Sequence, residues 1–104
     1  MDFKESVIDF IKTVPKGTVV SYGQVAVACG KNRGAREVGW ILRHADMSKD
    51  QVPWWRVVNQ KGEISIKGNW TASKELQVEL LRKEGIKLEK NFTINIKKYR
   101  YGKL

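Results

Sequence analysis

The chain has 104 residues, 41% hydrophobic and 30% charged, enough for one modest core and too few for two domains. Twenty Lys and Arg against eleven Asp and Glu give a formal charge of +9, the electrostatic footprint of a protein that meets phosphates. Cys29 is the only cysteine and His44 the only histidine, which excludes an internal disulfide and leaves too little His and Cys for a zinc site; no metal or cofactor is expected.

Phe3, Val7, Phe10, Ile11 and Val14 recur at helical spacing with charges between them, and Pro15 and Gly17 end the pattern, so the first element is an amphipathic helix. Its opening residues hold no long apolar run, and neither a signal peptide nor a spanning helix is expected. After Thr18-Val-Val20, Ser21 and Gln24 form a capping box for a short helix from about Tyr22 to Cys29. Gly30 suits the left-handed position beyond a helix end, and a polar turn leads to a third helix from about Ala35. Val38, Ile41 and Leu42 make its buried stripe, with Arg36, Glu37, Trp40 and Arg43 off it. Two short helices joined by a Gly-containing turn, over about 22–44, are a helix-turn-helix signature.

A polar connection follows, then Pro53-Trp-Trp-Arg-Val57. Arg56 to Asn59 is expected to turn through Gln60-Lys61-Gly62 into residues 63–66 as a small β-hairpin. Leu76, Leu80 and Leu81 describe a helix over about 72–84 closed by Gly85. Phe92, Ile94 and Ile96 alternate as in a strand, and a basic, aromatic tail over about 97–104 reads as a flexible arm or a solvated terminus. The expected fold is mainly α with a small β-hairpin, a single winged helix-turn-helix-like domain spanning 1–104.

Four segments carry a resemblance: Val20-Ser-Tyr-Gly-Gln24, Gly34-Ala-Arg-Glu-Val-Gly39, Pro53-x-x-Arg-Val57 and Leu80-Leu-Arg-Lys-Glu-Gly85. In this order and spacing they resemble the DNA-binding, catalytic domain of O6-alkylguanine-DNA alkyltransferases. Those enzymes read Pro-Cys-His-Arg-Val at the third segment, and their Cys takes the alkyl group from a flipped guanine. Here Trp54 stands in the Cys position and Trp55 in the His position, which makes the chain similar to the alkyltransferase-like branch. Alkyl transfer needs a polarizable, activated nucleophile, and an indole supplies none.

The resemblance implies a non-enzymatic sensor that binds O6-alkylguanine in duplex DNA through the minor groove and flips the base into a pocket. It further implies that the sensor flags the lesion for nucleotide excision repair proteins. Arg36 matches the finger that fills the gap left by the flipped base, and Tyr22 the residue that crowds the 3′ phosphate. Trp54, with Tyr22, Val57 and Lys67, is assigned to the lesion pocket. Gly34, Ala35 and Gly39 are expected to let the recognition helix approach the sugar-phosphate edges, with Arg43, Arg33, Lys31 and Lys49 supplying charge. Pro53, Arg56 and Glu84 are structural, Arg56 bridging the hairpin to the helix-turn-helix. Trp55 is expected to fill space or to contact the pocket or DNA, and Trp40 to contact DNA or pack inward.

Two alternatives stand beside this reading: a winged-helix transcription regulator without lesion recognition, and an alkyltransferase working through Cys29 as a relocated thiol. Cys29 has no His beside it and reads as a buried structural thiol. The expected protein is a monomer without membrane contact, in the cytoplasm and nucleoid, or in the nucleus of a eukaryote.

Overall fold

The computed structural model describes residues 2–46, 51–64 and 73–102. Its first helix, α1, spans Phe3–Lys12, capped by the Asp2 carboxylate, which accepts from the Glu5 N–H at 2.8 Å. Val7 and Ile11, one turn apart, are fully buried. β1 is only Val20–Ser21 and runs directly into α2, Tyr22–Ala28. The Ser21 hydroxyl accepts from the Gln24 N–H at 3.0 Å, so one residue both pairs in a strand and caps a helix. Gly30, at φ +89°, turns the chain toward α3, Ala35–His44, whose stripe Val38, Ile41 and Leu42 is buried as the spacing requires.

A short 3₁₀ turn, Trp54–Arg56, precedes β2, Val57–Val58. β2 pairs with β1 in parallel, Val20 opposite Val57 and Ser21 opposite Val58. The sheet is therefore not the expected hairpin. The turn through Gly62 does form: the Asn59 side-chain oxygen accepts from the N–H groups of Lys61 and Glu63, and the Asn59 N–H donates to the Glu63 carbonyl at 3.1 Å. Beyond it Glu63 bridges antiparallel to Thr93, and the Ile94 N–H donates to the Gly62 carbonyl at 2.8 Å. The two arms of the turn thus hydrogen-bond to different distant segments, and residues 65 and 66 of the expected hairpin lie outside the described ones.

α4 spans Lys74–Lys83, with the Ser73 hydroxyl as its cap. Its buried face is Gln77 and Leu81; Leu76, expected to be buried, is 37% exposed. Gln77 is drawn inward because its amide donates at 3.0 Å to the carbonyls of both Trp55 and Val57. The expected C-terminal strand is a correction as well. Asn91 and Phe92 both take left-handed dihedrals, at φ 64° and 58°, so the chain turns there and Phe92 stays half-exposed. Asn95 then caps a one-turn helix, α5, Ile96–Tyr99, its side-chain oxygen accepting from the Lys98 N–H. Only Ile94 of the alternating set is buried.

The basic tail is docked as far as Gly102. The Val19 N–H donates to the Tyr99 carbonyl at 2.9 Å, the Tyr101 N–H donates to the Val19 carbonyl at 2.8 Å, and the Gln24 amide donates to the Tyr101 carbonyl. Period-2 alternation across the two short strands divides the core. Val20 and Val57 face a cluster containing Val7, Ile11, Val25, Val38, Leu42 and Trp54, whereas Val19 and Val58 face Leu81, Ile86 and Ile94. Trp55 packs against both clusters. Among the described residues no helix is long and apolar enough to cross a membrane.

Candidate nucleic-acid interface

α2 and α3 pack closely because small residues face each other across the turn. A Cβ at Gly34 would stand 3.0 Å from the Lys31 Cβ and 3.3 Å from the Ala26 Cβ, so Gly34 is buried in the α2–α3 contact. Gly39 faces the Tyr22 ring, where a Cβ would come to 3.9 Å. Gly34, expected to bring the helix close to DNA, instead points inward and fixes how α2 meets α3, while Gly39 is half-buried against the Tyr22 ring. Ala35 alone of the three small residues is on the outside.

The outer surface of α3 carries Arg36, Trp40, Arg43 and His44, all exposed and spaced at i, i+4, i+7 and i+8. Glu37, the acidic residue of this helix, is bonded to Lys31 at 2.8 Å, so its charge is offset locally. Arg36 has no protein partner among the described residues and projects into solvent. Trp40 does not pack inward: it is 60% exposed, with its ring stacked on His44. Arg33 and Lys31, at the turn before the helix, are exposed too, and Lys49 lies outside the described residues.

Behind α3 stands the paired-Trp segment. Trp54 is 5% exposed and belongs to the first core cluster with Val57, while Pro53 is buried beside it. Trp54 and Trp55 meet edge to face, with centroids 6.0 Å apart. Trp55 turns away from the outer surface, its indole N–H donating to Glu84 Oε2 at 2.8 Å and its ring lying beneath the Arg56 guanidinium. Arg56 forks onto Glu84, with Nη2 at 2.6 Å from Oε2, and its Nη1 donates to the Val14 carbonyl at 2.8 Å. Its fork thus ties the end of α1 to the end of α4, not the hairpin to the helix-turn-helix. The Gly17 N–H also donates to Glu84. Burial pushes the Glu84 carboxyl up, but the hydrogen bonds from Arg56, Trp55 and Gly17 and the Arg56 charge outweigh it, and the net shift is downward.

Of the expected lesion-pocket residues, Trp54 and Val57 are brought together in the core, Tyr22 packs partly buried against the same cluster, and Lys67 lies outside the described residues. A separate cavity runs along α2, lined in part by Ser21, Gln24, Val27, Asn32 and Arg100, and shares none of those residues. Cys29 is half-buried, and burial raises its thiol pKa, so the thiolate is disfavoured there. Sequence reasoning missed Gln77, which holds the carbonyls of the paired-Trp segment. A polar residue inside an apolar period leaves no signal of that role.

Residues 2–86 match the family model of the 6-O-methylguanine DNA methyltransferase DNA binding domain. The chain is 33% identical over 100 residues to a DNA base-flipping protein of Escherichia coli, covering 96% of this chain and 74% of that one. It is 34% identical over 87 residues to alkyltransferase-like protein 1 of Schizosaccharomyces pombe, covering 84% and 79%. Its backbone is similar, with a TM-score of 0.86 and 30% identity, to the crystal structure of S. pombe Atl1 in complex with damaged DNA containing O6-carboxymethylguanine, covering 97% of this chain and 95% of that one.

Proposed function

The chain belongs to the family of the 6-O-methylguanine DNA methyltransferase DNA-binding domain, and from that membership we propose that it is a non-enzymatic sensor of O6-alkylguanine in duplex DNA. The observation that carries this reading is the likeness over nearly its whole length to a relative crystallised on damaged DNA. The exposed cationic face of α3 agrees with it. Arg36 enters the duplex and occupies the space of the flipped nucleotide, Tyr22 crowds the backbone beside it, and the extruded base is held next to Trp54. Arg43, Arg33 and Lys31 neutralise phosphates, Lys31 releasing Glu37 to do so.

Alkyl transfer is not part of the proposal. The position that the resemblance gives to the reactive sulfur is an indole, and burial raises the pKa of the one thiol of the chain, Cys29, which disfavours the thiolate that transfer would need. The bound, distorted lesion is handed to nucleotide excision repair proteins by a monomeric domain.

The test is a binding titration on matched duplexes with and without one O6-methylguanine, followed by mass analysis of DNA and protein. Tighter binding to the damaged duplex with the methyl group still on guanine is expected. Equal affinities overturn the sensor reading, and methyl transfer to Cys29 overturns the non-enzymatic one. Arg36→Ala is expected to reduce affinity for the damaged duplex at least ten-fold, about 1.4 kcal/mol, without lowering the melting temperature; unchanged affinity would mean that Arg36 does not fill the gap in the duplex.

A further inference from the structure

Trp40 is the most exposed large hydrophobic residue among those described, at 60%, and it projects from the outward face of α3. Its ring is not loosely solvated. The His44 imidazole stacks on one face, with centroids 4.3 Å apart and planes at 25°, and His44 Nδ1–H donates to the Trp40 carbonyl at 2.9 Å. Two aromatic rings one turn apart are thus fixed against each other on the surface, where neither contributes to either core cluster. Exposing an indole loses the gain that burying it would bring, and backing it with a second ring restricts its rotamers.

The surroundings say what covers it. Arg36 lies one turn before Trp40 and Arg43 one turn after, while the acid of the helix, Glu37, is bonded to Lys31. A flat apolar ring flanked by guanidinium groups complements a polymer of π-faces strung on phosphates. We propose that Trp40, backed by His44, is a stacking platform for a nucleobase of the bound DNA, separate from the base held at Trp54. This assignment rests on the DNA-binding reading and extends it. Four residues along a helix span about 6 Å, against a rise of about 3.4 Å per nucleotide. The platform therefore meets a base one or two nucleotides from the Arg36 contact, where wedging the ring into a base step exposes a face for it.

The test compares wild type with W40A, W40L, W40F and H44A on an O6-methylguanine duplex carrying 2-aminopurine at each position within three nucleotides of the lesion. Wild type should change the 2-aminopurine emission at one of these positions. W40A should abolish that change and weaken binding about ten-fold. W40F should retain the change and bind within about three-fold of wild type. W40L, which keeps the apolar volume without a π-face, should resemble W40A, and H44A should fall between. The proposal is overturned if W40A binds within two-fold of wild type, which would leave Trp40 for a protein partner, or if W40L and W40F are equivalent. Failure of the lesion reading is distinguishable: wild type would then bind damaged and undamaged duplexes equally, while the ratio of W40F to W40L affinity on either would still report stacking.

Discussion

Glu84 receives the Trp55 indole, the Arg56 guanidinium and the Gly17 N–H, and so joins the end of α4, the paired-Trp segment and the turn after α1. The Glu84 side chain is 7% exposed and that of Arg56 14%, so removing the carboxylate charge strands a desolvated guanidinium. Glu84→Gln is expected to destabilise the protein by about 2 kcal/mol at pH 7, read by urea unfolding. The carboxyl pKa is lowered from its ordinary value of 4.5 in the folded state. A lowered folded pKa gives stability that is complete above the unfolded value and is lost as pH falls through the folded one. Wild type should therefore weaken below about pH 4.5, and its advantage over Glu84→Gln should shrink in the same window. A gap between the two proteins that is as wide at pH 3 as at pH 7 would show that the charge is not what matters.

Ser21 does at the scale of an element what Glu84 does at that of a residue. It pairs with Val58 as the second residue of β1 and caps α2, so the parallel pair sets where the helix bearing Tyr22 begins relative to Trp54 and Val57. Ser21→Ala should cost about 1 kcal/mol of stability. Because the cap fixes the first turn, it should also weaken DNA binding more than a cap removal at Ser73, on α4, measured under the same conditions. Gly62 locks the other end of this framework. At φ +80° an added Cβ would overlap the Ile94 carbonyl oxygen, whose residue donates its N–H to the Gly62 carbonyl. Gly62→Ala is expected to lower stability by about 2–4 kcal/mol, and a thermal melt within a degree of wild type would contradict the packing described.

The elements legible in the sequence were those with a period and a cap. α2 and α3 have apolar residues at helical spacing behind Ser21 or after a Gly turn and begin where these features place them, while α1 has the spacing but ends at Lys12, before Val14. The two strands were not legible, because two residues carry no period and parallel partners 37 positions apart leave no local mark. Phe92, Ile94 and Ile96 imitate a strand only when Asn91 and Asn95 are ignored; the first takes the left-handed turn and the second caps α5. Trp40 and Gly34 show the same limit at the site. Whether an indole or a glycine faces in or out depends on what the neighbouring helix places opposite, which spacing along one helix does not contain.

For the whole molecule the governing quantity is the formal charge of +9. Besides Arg36, three exposed cations, Lys31, Arg33 and Arg43, gather at the α2–α3 turn and along α3. If those three neutralise phosphates, the logarithm of the binding constant should fall against the logarithm of salt concentration with a slope of about −3. That is roughly a forty-fold loss of affinity between 50 and 200 mM salt. Phosphates are identical in damaged and undamaged duplexes, so this dependence should be common to both. Discrimination assigned to contacts with bases, at Trp54 and Trp40, releases no counterions. The ratio of the two affinities should then stay constant within about two-fold across the same salt range while each affinity collapses. Arg43→Ala should lower the slope by about one and leave the ratio intact, whereas Trp40→Ala should leave the slope intact. A ratio that closes toward one as salt rises would mean that lesion preference is electrostatic, and would move it from the two indoles to the cations of α3.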